Sequence, residues 1–167
     1  RAQLIKEQFE ILDALEDNRH IYLEGSAGTG KSFLIAEAAT RSRSAGKRTL
    51  VTCWNILMAE ELSRQMPHSA DINFVVQDIN AIMLSFAGLS ENPEGSGSSW
   101  YEVELPKLAL AGLNRQPFLG NFSSIFIDEF QDLVGKFHVL NFIFSLSKNK
   151  KITDTTIVLA GDERQQI

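Results

Sequence analysis

Short apolar runs alternate along the chain with longer segments whose apolar residues recur every three or four positions. The short runs, typical of buried strands, are residues 21–23, 49–52, 72–76, 125–127 and 155–160. The longer segments, which predict helices, are 1–17, 33–39, 53–66, 78–89 and 136–147, with a shorter irregular helix in 105–119. Strands that alternate with helices predict an α/β fold.

Residues 88–104 interrupt this pattern. The run GLSENPEGSGSSWYEVE has no apolar period, and GSGSS has the composition of a flexible linker. Two interpretations remain open: a natural surface insertion, or an engineered linker that replaces an excised segment.

The size and composition predict a single domain, spanning residues 1–167. The chain has 167 residues, of which 44% are hydrophobic, enough for one core. Its single cysteine, Cys53, excludes an internal disulfide, and no apolar run approaches the roughly 18 residues of a membrane span. We therefore expect a soluble, cytoplasmic protein. Because the chain lacks an initiator methionine and stops just after a strand-like run, it looks like a fragment cut at both ends.

The charge balance changes what can be expected of a nucleic-acid partner. Sixteen basic and 21 acidic residues give a net charge of −5. The field of the whole molecule would repel a phosphate backbone, so any binding to a strand must be local.

The run GSAGTGKS, residues 25–32, follows an apolar strand and precedes a helix, as a phosphate-binding loop does. Its backbone amides would cradle the phosphates, and glycine allows the close approach. The loop residues are Gly25, Ser26, Ala27, Gly28, Thr29 and Gly30. Lys31 would contact the β- and γ-phosphates, and Ser32 would give its hydroxyl to Mg²⁺. The sequence therefore predicts an ATP-type nucleotide bound with Mg²⁺.

A second chemical centre, DEFQD, follows the apolar run 125–127. Adjacent carboxylates at the tip of a buried strand are costly unless a cation is near. Asp128 is the predicted Mg²⁺ ligand, usually through water, and Glu129 the group that polarises the attacking water.

Three further polar or aromatic residues flank the strands. Gln165, in GDERQQ after the last strand, could hydrogen-bond the γ-phosphate. Gln8 could pair with adenine, although by itself it reads as an exposed helix glutamine. Trp54, directly after the strand 49–52, could stack on a base, although a core tryptophan is the simpler interpretation.

The order of the motifs, a phosphate loop, then TCWN, DEFQD and GDERQQ, resembles the first motor domain of superfamily 1 helicases of the UvrD/Rep type. The resemblance covers nearly the whole chain, and the pair D-E-x-Q-D and G-D-x-x-Q is its most specific part. It implies a three-layer, RecA-like P-loop NTPase fold with a mostly parallel central sheet flanked by helices.

The resemblance also implies residue roles. Gln8 would read adenine, Lys31 and Ser32 would bind phosphate and magnesium, and Asp128 and Glu129 would be metal ligand and catalytic base. Gln131 and Gln165 would couple the γ-phosphate to domain movement. Thr52, Trp54 and Asn55 fall where the family contacts single-stranded DNA.

The second RecA-like domain of such helicases has no counterpart in these residues. Arginines from that later part stabilise the charge on the γ-phosphate, so we expect the isolated fragment to be nearly inactive and unable to unwind. Two alternatives to an ATP-dependent DNA helicase or translocase remain: a P-loop small-molecule kinase, and a nucleotide-gated binding module that does not unwind.

Overall fold

A computed structural model describes residues 6–25, 30–66 and 71–162, without the side chains of Phe9, Glu16 and Asp17. Within these ranges five strands form one sheet in the order β1-β5-β4-β2-β3. The strands are β1 (His20–Glu24), β2 (Thr49–Thr52), β3 (Phe74–Val76), β4 (Ser124–Ile127) and β5 (Thr156–Gly161). Every pairing is parallel. The predicted α/β fold is confirmed, and the sheet is parallel throughout the described residues.

In the part of the chain that the structure describes, six α-helices cover both faces of the sheet. They are α1 (Lys6–Asp17), α2 (Lys31–Ser44), α3 (Ile56–Arg64), α4 (Ile79–Ala87), α5 (Leu105–Arg115) and α6 (Phe137–Ser145). Helices α1, α2 and α3 contribute to one apolar core, and α4, α5 and α6 to the other. The result is the three-layer arrangement that a parallel sheet with helical crossovers requires.

The sheet separates these two cores because successive strand side chains point to opposite faces. Leu50 lies in the core of α4–α6, and its neighbour Val51 lies in the core of α1–α3. Strand β4 alternates in the same way, with Ile125 and Ile127 on one face and Phe126 on the other. This double burial explains why the central strands read as uninterrupted apolar runs.

Part of the segment 88–104 has a defined structure. Residues Trp100–Glu104 form a π-helix that runs directly into α5. The side chains of Asn80 and Asn92 donate to each other's amide oxygens at 3.2 and 2.9 Å, and the Trp100 indole donates to Asn92 at 3.0 Å. The helix predicted for 105–119 therefore extends to Trp100 at its start, and its end is α5 followed by a 3₁₀ turn at Pro117–Leu119.

Two helices begin at side-chain caps. The Asn55 side chain accepts hydrogen bonds from the amides of Leu57 and Met58 at the start of α3. The Asp78 carboxylate accepts from Ala81 at the start of α4. In the part of the chain that the structure describes, no helix is long and apolar enough to cross a membrane.

Candidate nucleotide-binding site

The polar residues of the motifs meet at the carboxyl edge of the sheet. The register pairs Glu24 at the end of β1 with Gly161 at the end of β5, and the Gly25 amide donates to the Gly161 carbonyl at 3.2 Å. Strand β4 ends one residue before Asp128. Ligands of open α/β sheets bind outside this edge, because the loops that follow the strands converge there.

Helix α2 begins at the phosphate loop and positions Lys31. Gly30, the residue before the helix, has a φ of 83°, which glycine adopts without a steric penalty. The Lys31 side chain is only 8% exposed, and its ammonium group donates to the Gly25 carbonyl. The ammonium group of Lys31 therefore lies at Gly25, the first residue of the motif, just after β1.

Ser32 and Asp128, 96 residues apart in sequence, are in direct contact. The Ser32 hydroxyl donates to Asp128 Oδ2 at 2.8 Å. Asp128 is completely buried, and this desolvation raises the pKa of its carboxyl group. The hydroxyl of Ser32, the Glu129 amide and the charge of Lys31 act in the opposite direction, whereas the Glu129 carboxylate adds to the rise.

Glu129 lies next to this pair in an uncommon backbone conformation. Its φ of 49° and ψ of 46° fall in the left-handed region, and its amide donates to Asp128 Oδ1 at 2.9 Å. A 3₁₀ turn, Phe130–Leu133, follows. Strained backbone of this kind persists where the surrounding structure fixes it, and it often marks functional sites.

Gln131 joins the acidic motif to the end of β5. Its side-chain amide donates to the Glu129 carboxylate, and its Oε1 accepts from the Asp162 amide at 3.1 Å. Gly161 leaves the space for this contact, since a Cβ there would lie 2.8 Å from Gln131 Oε1 and 3.0 Å from the Tyr22 hydroxyl. This bridge joins the loops of DEFQD and of the residues that begin GDERQQ.

The donor set at this edge fits Mg²⁺. A hydroxyl and a buried carboxylate are hard oxygen donors, and Mg²⁺ in nucleotide sites is held by one or two such ligands together with phosphate oxygens and water. The desolvated charge of Asp128 is also the kind of group that a cation stabilises. Residues 6–25, 30–66 and 71–162 contain no cluster of three or more His, Cys, Asp or Glu side chains that could hold a metal without a nucleotide.

Two other groups of predicted nucleotide contacts have different outcomes. Gln8 lies near the loop, because its side-chain nitrogen is 3.1 Å from where a Cβ on Gly30 would be. The predicted contacts Ser26, Ala27, Gly28, Thr29 and Gln165 lie outside the described residues.

The predicted nucleic-acid contacts Thr52, Trp54 and Asn55 differ in accessibility. The Thr52 side chain is 1% exposed, so in this conformation it is not available to a strand. Trp54 is half-buried, and the Lys136 ammonium lies 4.9 Å from the centre of its ring. Asn55 is exposed but caps α3. Contact of any of the three with DNA stays a prediction.

Lys136 is a feature of this edge that sequence reasoning did not identify. Besides covering the Trp54 ring, its ammonium group donates to the Asp132 carbonyl. Burial and the charge of Glu129 raise the pKa of the Asp132 carboxyl, and Lys136 opposes that shift. No motif carries this arrangement. The available signal was a lone lysine four residues after DEFQD, a spacing that favours contact within a helical turn.

The fold and the site define a RecA-like, P-loop domain. A family model described as an AAA domain matches residues 8–167, so the chain belongs to that family. The structure is also similar to that of Pif1 helicase from Candida albicans, with a TM-score of 0.61 and 23% sequence identity. That similarity covers 97% of this chain but only 33% of the helicase chain, and it shows a shared fold. No curated protein matches the sequence.

Proposed function

We propose that this chain is the ATP-binding motor domain of an ATP-dependent DNA helicase or translocase of superfamily 1. The observation that carries the proposal is the 2.8 Å contact between the Ser32 hydroxyl and Asp128, which joins the phosphate loop to the acidic motif at the carboxyl edge of a parallel sheet. The similarity to the fold of a Pif1 helicase supports the choice of a motor, as does the motif GDERQQ.

The nucleotide would lie along the phosphate loop. Backbone amides of residues 25–30 would bind its phosphates, and the Lys31 ammonium would leave the Gly25 carbonyl for the β- and γ-phosphates. Ser32 and Asp128 would hold Mg²⁺, which supplies positive charge to the phosphates when bound. Gln8, beside Gly30, would read the adenine edge.

Glu129 is the proposed general base. Its carboxylate would orient a water molecule and accept a proton from it, a role that requires hydrogen-bond reach and release from the side-chain amide of Gln131. Gln131 and Gln165 would relay the state of the γ-phosphate to the loop after β5. Because Gln131 already contacts the Asp162 amide, movement of Glu129 and movement of that loop are mechanically linked.

Single-stranded DNA is the proposed polymer partner, contacted near Trp54 and Asn55. The chain spans about a third of the helicase whose fold it shares. Stimulation by DNA and unwinding would therefore need a second RecA-like domain in the complete protein, and we expect these residues alone to hydrolyse ATP very slowly.

The test is the ATPase rate of the complete protein, with and without single-stranded DNA, compared with its Glu129→Gln variant. We expect DNA to raise the rate many-fold and the variant to lose at least about 100-fold, the usual contribution of a general base. Glu91→Gln, an exposed glutamate in the segment 88–104, is the matched control and should retain the wild-type rate.

Other results would point to the alternatives. A rate that ignores DNA while ATP phosphorylates a small molecule would indicate a kinase. Tight nucleotide binding with neither stimulation nor unwinding would indicate a nucleotide-gated binding module. An unchanged rate in Glu129→Gln would remove Glu129 from the role of base.

A further inference from the structure

The amino edge of the sheet, where the strands begin, is positively charged, unlike the edge at which the motifs meet. Within the described chain, the segments that lead into the strands are 18–19, 45–48, 71–73, 116–123 and 146–155. They contain six basic and two acidic residues, whereas the described segments between each strand and the next α-helix contain one basic and five acidic residues. A protein of net charge −5 therefore has a locally positive surface, which we call the basic edge.

The segments of the basic edge are in contact with one another. The Asn149 amide donates to Asn121 Oδ1 at 3.0 Å, which joins 146–155 to 116–123. Arg48 donates to the Leu119 carbonyl at 2.7 Å, which joins 45–48 to the same segment. The exposed lysines of this surface are in no ion pair with a described carboxylate; they are Lys47, Lys148, Lys150 and Lys151.

A cavity of about 250 Å³ lies where the segments 116–123 and 146–155 meet. The residues that line it include Phe118, Asn121, Ser147, Asn149 and Lys150. Ser147 is 1% exposed, and its hydroxyl group has no hydrogen-bond partner among the residues that the structure describes. Because buried polar groups normally have partners, a polar ligand in this cavity can supply one.

Three residues at this cavity have a left-handed backbone conformation. The φ angles are 62° at Asn121 and 56° at both Asn149 and Lys150. In 6–25, 30–66 and 71–162, the one other non-glycine residue with a positive φ is Glu129, in the acidic motif. Backbone in this region is unfavourable and concentrates where proteins bind ligands. The hydrogen bond between the two asparagines holds the wall in place before a ligand arrives, which lowers the entropic cost of binding.

The side chains of the cavity have hydrogen-bond donors available. The Lys150 ammonium uses one of its N–H groups on Asn114 Oδ1, at 3.0 Å. The side-chain oxygen of Asn121 already accepts from the Asn149 amide, so its N–H groups are the part that a ligand can use. A carboxylate complements such a site, because it only accepts hydrogen bonds and carries the opposite charge.

Exposed apolar side chains lie among the lysines of the basic edge. Phe118 is 73% exposed, and Ile152 and Leu119 are 44% and 40% exposed. Single-stranded nucleic acids bind to several aromatic faces, whereas aliphatic side chains pack against the apolar side chains of another protein. The mixture of lysine with mostly aliphatic residues therefore favours a peptide over a nucleic acid.

We propose that the basic edge binds an acidic peptide segment of a partner protein. A carboxylate of the segment enters the cavity and pairs with Lys150, and a neighbouring apolar side chain packs on Phe118. Lys148 and Lys151 attract the other acidic residues of the segment. This interaction goes beyond nucleotide and DNA binding and does not depend on them, since the four residues of β4 separate the two edges by about 13 Å.

The experiment titrates a fluorescein-labelled peptide, one phenylalanine flanked on both sides by glutamates, with the complete protein and measures fluorescence anisotropy. The wild type should bind the peptide, and added salt should weaken the binding because exposed charges are screened. Lys150→Glu should lower the affinity by about 10-fold or more, since attraction becomes repulsion. Phe118→Ala should lower it by about 5-fold, because an apolar anchor is lost.

Two further variants and a second peptide serve as controls. Lys107→Glu makes the same charge reversal at an exposed lysine near the start of α5 and should bind like the wild type. Lys151→Glu guards against a folding defect at Lys150, because Lys151 has an ordinary φ of −120°; it should lower the affinity by about 3-fold. Urea unfolding checks that each variant is folded. A peptide with lysines in place of the glutamates should not bind.

Three results would overturn the proposal. They are absence of binding to the acidic peptide, equal binding by the wild type, Lys150→Glu and Lys151→Glu, and loss of oligothymidylate binding instead of peptide binding in these two variants. The last result would make the basic edge a nucleic-acid site. The ATPase rate of Lys150→Glu should equal that of the wild type. Peptide binding without stimulation of hydrolysis by DNA would therefore contradict the motor proposal alone.

Discussion

The Glu129 carboxylate is held before any nucleotide arrives. Its backbone is in the left-handed region, and the side chain accepts a hydrogen bond from Gln131. A carboxylate held in this way needs little reorientation before it acts as a base. It must, however, exchange the hydrogen bond from Gln131 for one from water when the reaction begins. Gln131 is therefore best regarded as a positioning residue.

Replacing Gln131 tests this role. Gln131→Ala frees the Glu129 carboxylate and breaks the contact with the Asp162 amide, so kcat should fall roughly 10- to 100-fold, as expected when a catalytic group is misplaced by about 1 Å. The affinity for ATP, measured by fluorescence of a labelled nucleotide, should change little. Gln65→Ala, at the exposed end of α3, is the control; equal losses in both variants would contradict a positioning role.

The pH dependence of stability tests how burial and the Asp128 carboxylate affect the thiol of Cys53. Burial and the nearby Asp128 carboxylate raise the pKa of its thiol to about 12. An unfolded cysteine has a pKa of roughly 8.5, so between those values the unfolded chain loses the proton first. The free energy of unfolding should then fall as the pH rises from about 8.5 towards 12.

The variant Cys53→Ala removes that pH dependence. Urea unfolding at several pH values should give a shallower decline for the variant than for the wild type, although the lost sulfur costs about 1 kcal/mol at neutral pH. If the free energy of unfolding falls equally with pH in both proteins, the Cys53 thiol does not contribute to this pH dependence.

At the scale of elements, helices α4 and α5 pack against each other at Gly112. A Cβ at this position would lie 1.8 Å from the Phe86 carbonyl oxygen and 2.8 Å from its carbon. Glycine is thus required by the helix crossing, because the neighbouring atoms are backbone and cannot turn away.

Gly112→Ala should lower the free energy of unfolding by at least about 2 kcal/mol, since the two helices must separate. Gly97→Ala is the matched control, because nothing lies within 4 Å of its would-be Cβ, and it should change stability by less than about 0.5 kcal/mol. Chemical denaturation measures both. Similar stabilities for the two variants would mean that the crossing can relax.

The elements that the sequence predicted well are those with a strong local signal. The boundaries of β2 match the apolar run 49–52, and α4 (Ile79–Ala87) lies within the helix predicted for 78–89. The predicted strand 72–76 is shortened to Phe74–Val76, because Ile72 and Asn73 form a turn and both are exposed. Local composition does not determine which residues of an apolar run pair with a neighbouring strand.

The features that the sequence did not predict depend on contacts between distant residues. The hydrogen bond between Gln131 and Asp162 joins loops 31 residues apart. The hydrogen bonds between Asn80 and Asn92 attach the linker-like segment 88–104 to helix α4. Ser32 and Asp128 were assigned a shared metal from motif chemistry, and the structure places them in contact. The motifs therefore predicted which residues lie together, while tertiary packing determines how they are linked; their chemical roles stay predictions.

At the scale of the whole molecule, Lys136 connects the acidic motif with Trp54, near which DNA is proposed to bind. Its ammonium contacts the Asp132 carbonyl, at the end of the acidic motif, and the Trp54 ring. Because one side chain contacts both parts, we expect it to contribute to coupling between nucleotide and DNA binding.

Lys136→Met keeps the apolar stem and removes the charge. In the complete protein, the ratio of the DNA-stimulated to the unstimulated ATPase rate should fall about 5-fold or more, a typical size for coupling between sites. Lys107→Met, an exposed lysine on α5, should leave the ratio unchanged. An unchanged ratio in Lys136→Met would show that the charge of Lys136 does not contribute to the coupling.

The π-helix Trp100–Glu104 makes the orientation of Tyr101 depend on the number of residues that precede α5. The Leu105 amide reaches the Trp100 carbonyl five positions back, one more than an α-helix allows. If one residue were deleted here while Gly112 held α5 in place, everything before the deletion would turn by about 100°, the angular step of one helical residue. Tyr101 would turn away from Trp54 and Asn80, although its identity is unchanged. Homologues that differ by one residue in length at this point would thus differ in which side chain of the helix faces Trp54.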